Sequence, residues 1–191
     1  MRGAWVFVIG AVCGAAGALL PRAAMHAHAT LYETHRGQTM SGTVRAHTEE
    51  KFVFTARAPM EQVAPLFGAD RERVWSSKWE PTFIHPLPAT DAQGMVFTVA
   101  HGHLASVWVN TVFDLKNGRV QYVYVIPDAL ATVITLQLTP QRNETHVEVE
   151  YARTALSAEA DEHVRHMAEQ DRSAGTEWET AVNEYLKKHK E

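Results

Sequence analysis

FTARAPMEQVAPLF, residues 54–67, changes rhythm at Pro59, and what precedes and follows that change decides the fold. Upstream, in EEKFVFTARAP, Phe52 and Phe54 alternate with Lys51 and Thr55 while Val53 falls on the other face, the period-two pattern of a half-buried strand. Proline cannot donate to a ladder and suits the first turn of a helix, so Pro59 closes the strand and opens a helix as its first residue. Val63 and Phe67, four residues apart, share the helix's apolar face, and Gly68 stops it. Asp70 is placed to cap a second short helix over Arg71–Ser77. The expected opening is therefore one strand and two small helices.

Downstream, WEPTFIHPLP is rich in proline and reads as an irregular or edge segment. The segments GMVFTVA, LASVWVNTVFDL, RVQYVYVI, ATVITLQL and HVEVEYARTAL then alternate apolar with polar residues and are rich in β-branched and aromatic side chains. Asn117-Gly118 suits a two-residue hairpin turn, and Pro127-Asp128 and TPQRNET mark two more reversals. Connections this short make neighbouring strands antiparallel, so the segments form a meander. From Ser157, a candidate cap, the period becomes helical. Val164, Met167, Ala174, Trp178, Ala181, Val182 and Tyr185 recur at steps of three and four, with acids near the start and Lys187, Lys188 and Lys190 at the end. This predicts one long amphipathic helix.

Strand, two short helices, antiparallel meander and long terminal helix, with stretches such as FTARAPMEQVAPLF, resemble the START-like superfamily, also called SRPBCC, and within it the polyketide cyclase/dehydrase and lipid-transport branch. The resemblance covers roughly residues 48–187. It implies an α+β helix-grip fold in which a curved antiparallel sheet of six or seven strands wraps the last helix and leaves an apolar cavity. It does not fix a reaction, because the superfamily includes carriers, cyclases and hydroxylase domains.

An empty apolar hole costs about 24 cal/mol per Å³, so such an interior is either filled by its own side chains or holds a ligand. The strands supply Phe97, Trp108, Tyr122, Tyr124 and Tyr151, and Trp75 and Trp79 sit at a four-residue step near the second short helix; these pack as core or wall a ligand, with Asn110 and Tyr122 offering hydrogen bonds. Stepping Met167, Asp171, Ala174, Trp178 along the last helix sets a carboxylate on the stripe that faces the sheet. Arg153 shares the phase of Val147, Val149 and Tyr151 and points to the same interior, so Arg153 and Asp171 either pair there and orient a polar ligand head, or both meet water at the open end.

His101 and His103 flank Gly102 between two strand signals and read as a hairpin tip with solvated imidazoles. The competing reading makes them metal ligands, which needs a third group such as His85 or a carboxylate; no HExxH spacing is present and no cofactor is expected. His163 and His166, three apart on the last helix, read as surface residues.

Residues 1–29 have an early arginine, an apolar run from Ala4 to Leu20 and Ala27-His28-Ala29, the layout of a signal peptide cleaved after Ala29; the alternative is an anchor retained at residues 4–20. Residues 30–47 read as a polar linker, and residues 48–191 as the folded domain. The expected location is periplasmic or secreted, with membrane contact only through an uncleaved N-terminal segment. Cys13 is the one cysteine, so residues 30–191 carry no disulfide, thiol nucleophile or thiolate metal site. The formal charge of −4 becomes more negative once residues 1–29, with their two arginines and no acids, are removed, which argues against a nucleic-acid partner. The expected function is an exported carrier or sensor of a hydrophobic small molecule, without catalysis. The alternatives are a cyclase/dehydrase-type enzyme using Asp171, His101 or His103, and a structural or partner-binding domain with a plugged interior.

Overall fold

The computed structural model describes residues 44–102 and 104–189. The first strand, β1 (His47–Ala56), buries Phe52, Phe54 and Ala56 at alternate positions. A short helix, α1 (Met60–Val63), runs into a 3-10 turn over Ala64–Phe67, and a second 3-10 turn covers Arg71–Val74. Pro59 is the cap of α1 and not its first residue, because its carbonyl accepts from the N–H of Gln62 and Val63 at 3.0 and 3.2 Å. Asp70 makes no side-chain cap bond. The capping acceptor is Asp91, whose carboxylate takes the N–H of Asp70 at 2.9 Å and of Arg71 at 3.1 Å. Gly68 makes room for that acid, since a Cβ there would land on the Asp91 carboxyl.

The remaining strands are β2 (Pro81–His85), β3 (Val96–His101), β4 (Leu104–Asp114), β5 (Arg119–Ile126), β6 (Leu130–Gln141) and β7 (Glu144–Ala155). They form one antiparallel sheet in the order β1-β7-β6-β5-β4-β3-β2. Each strand from β2 to β7 pairs with its sequence neighbour, as short connections dictate, and β1 joins at the far edge beside β7. Proline-led β2 takes the opposite edge, where a missing ladder donor is tolerated.

The β4–β5 connection differs from a two-residue turn at Asn117-Gly118. Leu115–Asn117 form a 3-10 turn, and only Gly118 has a positive φ, of 66°. The reason is Asp114, whose carboxylate accepts from the backbone N–H and side-chain amide of Asn117 at 3.2 and 2.7 Å and so winds the chain before the glycine.

The expected single terminal helix is two, α2 (Asp161–Ser173) and α3 (Gly175–Lys188). Ser157 does not cap it: α2 starts at Asp161, whose carboxylate accepts from the backbone N–H of Ala46 and from Arg45 at 2.8 and 3.0 Å. At the break, the N–H of Ala174 reaches back only to Asp171 O, and Gly175 lies against β1, where a Cβ would stand 3.2 Å from Val53 O. The interruption thus lets the helices follow the bend of the sheet at close range. Buried Val164 and Met167 of α2, and Trp178, Val182 and Leu186 of α3, face it.

Candidate functional site

The concave face is organised in rows across the strands. Asn110, Tyr122, Ile134 and Tyr151 stand opposite one another on β4, β5, β6 and β7. The next row runs Phe97, Trp108, Tyr124, Thr132 and Arg153 from β3 to β7. All are buried, as period-two alternation requires on a face covered by helices.

Two aromatic clusters fill much of this interior. Trp178 on α3 is the hub of one, with ring centroids 5.3 Å from Phe52, 5.4 Å from Trp75 and 6.2 Å from Phe67, the last stacked. Trp108 is the hub of the other, stacked on Tyr124 at 4.2 Å and Phe97 at 5.5 Å and edge-on to Trp79 at 5.4 Å. The indole N–H groups of Trp75 and Trp79 donate to Leu66 O at 2.7 Å and Ala69 O at 2.6 Å, which ties the residues after the second 3-10 turn back to the first turn and the loop that follows it.

Arg153 and Asp171 meet inside the grip. The guanidinium Nε and Nη2 donate to the two carboxylate oxygens at 2.6 and 2.8 Å, and the side chains are 5% and 12% exposed, so the arrangement is the interior pair and not the solvated one. Arg153 also donates to the hydroxyls of Tyr124 and Thr132 and lies 4.4 Å over the Tyr151 ring. Burial, and then the Asp171 charge, push the Tyr151 phenol well above its ordinary range. Each Asp171 carboxylate oxygen thus accepts one guanidinium N–H. Met167 is buried one turn before it, in the same core.

Between the aromatic clusters lies a polar group that the sequence reading passed over. Glu72 is 1% exposed and its Oε1 has no hydrogen-bond partner. Burial, and then the negative charge of Asp91, push its carboxyl well above the usual carboxylate range. Asp91 is raised too, chiefly by burial and against the pull of the two N–H groups it caps. The Tyr122 hydroxyl, which donates to Phe67 O at 2.9 Å, faces both acids and Asn110. Burial and the two acids raise that phenol strongly.

Asn110 is fully buried and sits beside a bulge, since the pairing steps from Asn110–Tyr122 to Val112–Gln121 and leaves Thr111 over. Bulges re-aim side chains. Its backbone is held by Gly94 and Met95, yet both carboxamide atoms lack a partner of good geometry. Ser76 Oγ and Trp178 Nε1 are likewise buried and unpartnered.

A signal for Glu72 was present in the sequence. It lies three residues before Trp75 and seven before Trp79, on the face those indoles bury. Asp91 had no such signal, because a long irregular segment carries it to Asp70.

His103 lies outside the described residues. His101 ends β3 and is half-buried, within 2.8 Å of Ser106 Oγ, which accepts from Trp108 Nε1 at 2.6 Å; burial lowers its pKa. A solvated imidazole was expected there, and the hydrogen bond to Ser106 draws it inward instead. Gly102 does take the unusual backbone angle, with φ of 62°. Among the described residues, no three His, Cys, Asp or Glu side chains come together to hold a metal ion. His166 is exposed, whereas His163 is partly buried, and burial and then Arg153 lower its pKa. A hollow of about 500 Å³ lies between α1 and the end of α3, lined by Arg57, Pro59, Leu66, Arg71, Tyr185 and His189 among others, and by none of the residues expected to wall a cavity.

No family model and no curated protein sequence matches the chain. Solved structures do. Norcoclaurine synthase from Thalictrum flavum superposes with a TM-score of 0.60 at 8% identity, over 85% of this chain and 99% of that one. The chain has the helix-grip fold. Ara h 8.0201 aligns with a TM-score of 0.53 at 9% identity, over 75% of this chain and 100% of its own. An uncharacterised protein from Bacillus thuringiensis aligns with a TM-score of 0.52 at 19% identity, over 73% and 97%. At such identities the helix-grip likeness concerns the fold, and the chemistry rests on this chain's own residues.

Proposed function

We propose that the protein is an exported carrier or sensor that takes a hydrophobic small molecule, such as a lipid, an isoprenoid or a polycyclic compound, between the concave sheet and the C-terminal helices, without transforming it. The observation that carries this reading is the set of buried side-chain polar atoms, on elements that contribute to the aromatic core, that lack a partner of good geometry: Glu72 Oε1, Ser76 Oγ, both carboxamide atoms of Asn110, and Trp178 Nε1. Each such atom costs about 1–3 kcal/mol in a finished core, and most buried polar groups find partners. A guest with an apolar body and a polar end supplies those partners while its body packs on the aromatic rings. Export rests on the signal-like character of residues 1–29.

One observation favours a second reading, an acid–base enzyme of the cyclase/dehydrase kind. Glu72, which bears on Asp91 and Tyr122, has a carboxyl whose pKa burial raises, the direction a general acid needs.

Native mass spectrometry of the protein purified without denaturant from the compartment it is exported to, followed by solvent extraction, tests the proposal. The expected result is a mass above that of the bare chain and an extractable apolar compound, recovered chemically unchanged after incubation with fresh protein. A bare mass, with no change in tryptophan fluorescence across a panel of lipids, isoprenoids and polycyclic compounds, points to a plugged interior. Conversion of the recovered compound favours the enzyme.

A further inference from the structure

We propose that the guest carries a cationic amine, seated between Glu72 and Asp91 with its apolar body among the tryptophan and tyrosine rings; this rests on the ligand-binding reading above. Glu72 is 1% exposed, its Oε1 has no partner, and the charged group that bears on it is another acid, Asp91. Two carboxyls facing each other in an interior repel when ionised, and a shared cation relieves both. Asn110 adds an independent observation. It is fully buried, its carboxamide atoms lack a partner of good geometry, and its nearest polar group is the same Tyr122 hydroxyl that faces the two acids, so its oxygen keeps acceptor capacity for an ammonium N–H.

The surroundings suit a cation and disfavour the alternatives. Trp75 and Trp79 follow Glu72 by three and seven residues and are buried in the same core, and ring faces attract cations. An anionic head would meet the acid pair of Asp91 and Glu72 with no cation beside them to offset its charge. A neutral alcohol would fill one hydrogen bond and leave the acids unrelieved.

The titratable groups that face Glu72 are Asp91 from the segment before β3, Tyr122 from β5 and Tyr151 from β7. Asp70 and Arg71 bear on Asp91. Burial favours the protonated form of Glu72 and an ammonium group favours the carboxylate, so uptake is coupled to release of the Glu72 proton to solvent at any pH where the free protein holds it, leaving a carboxylate–ammonium pair, and there it strengthens with rising pH until the amine itself deprotonates.

The test uses the delipidated full chain and two matched sets of probes: decylamine, decanol and decanoate, and naphthylmethylamine, naphthalenemethanol and naphthoate. Tryptophan fluorescence gives affinities, and calorimetry in buffers of different ionisation enthalpy counts protons. The amines are expected to bind at least about tenfold more tightly than their alcohol and carboxylate counterparts at neutral pH. About one proton should be released per amine bound. In Glu72→Gln the amine advantage and the proton release should both vanish while alcohol binding persists. If that variant does not fold, as judged by circular dichroism, Asp91→Asn should reduce the amine advantage in its place. Alcohols or carboxylates binding as tightly as amines would overturn the amine assignment and leave the ligand-binding reading standing. Failure of every probe to bind up to about 1 mM would overturn both.

Discussion

Truncating Asp171 to alanine strands the Arg153 guanidinium in the interior, and the geometry sets the size of the loss. The two side chains are 5% and 12% exposed and share two hydrogen bonds, at 2.6 and 2.8 Å. Removing one member of such a pair costs about 3–5 kcal/mol, because the surviving charge stays desolvated. Arg153 keeps the Tyr124 and Thr132 hydroxyls and the Tyr151 ring, all neutral, which places the expected loss near the lower end, about 3 kcal/mol. For a chain of this size that lowers Tm by about 6–12 °C. Asp171→Asn keeps one acceptor and should cost less, about 1–3 kcal/mol. The double variant Arg153→Met/Asp171→Leu, which removes both charges and keeps apolar volume, should stay within about 2 kcal/mol of the parent. Urea unfolding at pH 7, followed by tryptophan fluorescence and checked by circular dichroism, measures all three. If Asp171→Ala costs less than about 1 kcal/mol, or the double variant costs as much as the single one, the pair is not a desolvated one and the reasoning fails.

Glu72→Gln should stabilise the empty protein progressively as pH rises. Because the folded pKa of Glu72 lies above its unfolded value, the parent is fully stable below about pH 4.5 and loses up to about 1.4 kcal/mol per pH unit from there to the folded pKa, a loss the glutamine variant escapes. Urea midpoints at pH 5 and pH 8 check this, and parallel pH profiles would contradict it. Gly68→Ala should drive Asp91 off the N–H groups of Asp70 and Arg71 and cost about 1–3 kcal/mol in thermal melts; a change under about 0.5 kcal/mol would show that Asp91 is not wedged there. Gly118→Ala meets both a φ of 66° and the carbonyl oxygen of Leu138, so it should cost at least about 2 kcal/mol, and a neutral result would mean that the β4–β5 turn differs from the one described.

The sheet was legible because alternation is a local signal: the run from Val147 through Val149 and Tyr151 to Arg153 gave both the strand and the facing of the arginine, and helical stepping from Met167 to Asp171 gave its partner. The break at Ala174 was not legible, because it answers to the approach of Gly175 to β1, a contact made across the fold. The turn at Asn117-Gly118 was misjudged because Asp114, three residues before Asn117, outbid the hairpin preference of the pair with its own hydrogen bonds. Glu72 was overlooked for a different reason. A charged residue in DRERVWSSKW reads as solvated, and only the Trp75 and Trp79 face, extended back by one turn, marks it as interior. Asp91 lies beyond such reasoning, because its partner Asp70 is met only when the β2 segment folds back.

The most direct test of the account is a high-resolution crystal structure of the protein purified natively from its own compartment. The account predicts continuous non-water density between the Trp75–Trp178 and Trp79–Trp108 clusters, with a polar atom at about 3 Å from Glu72 Oε1 and from the Asn110 carboxamide. Density for ordered water alone at those atoms, in protein that also refuses every guest offered in solution, would contradict it.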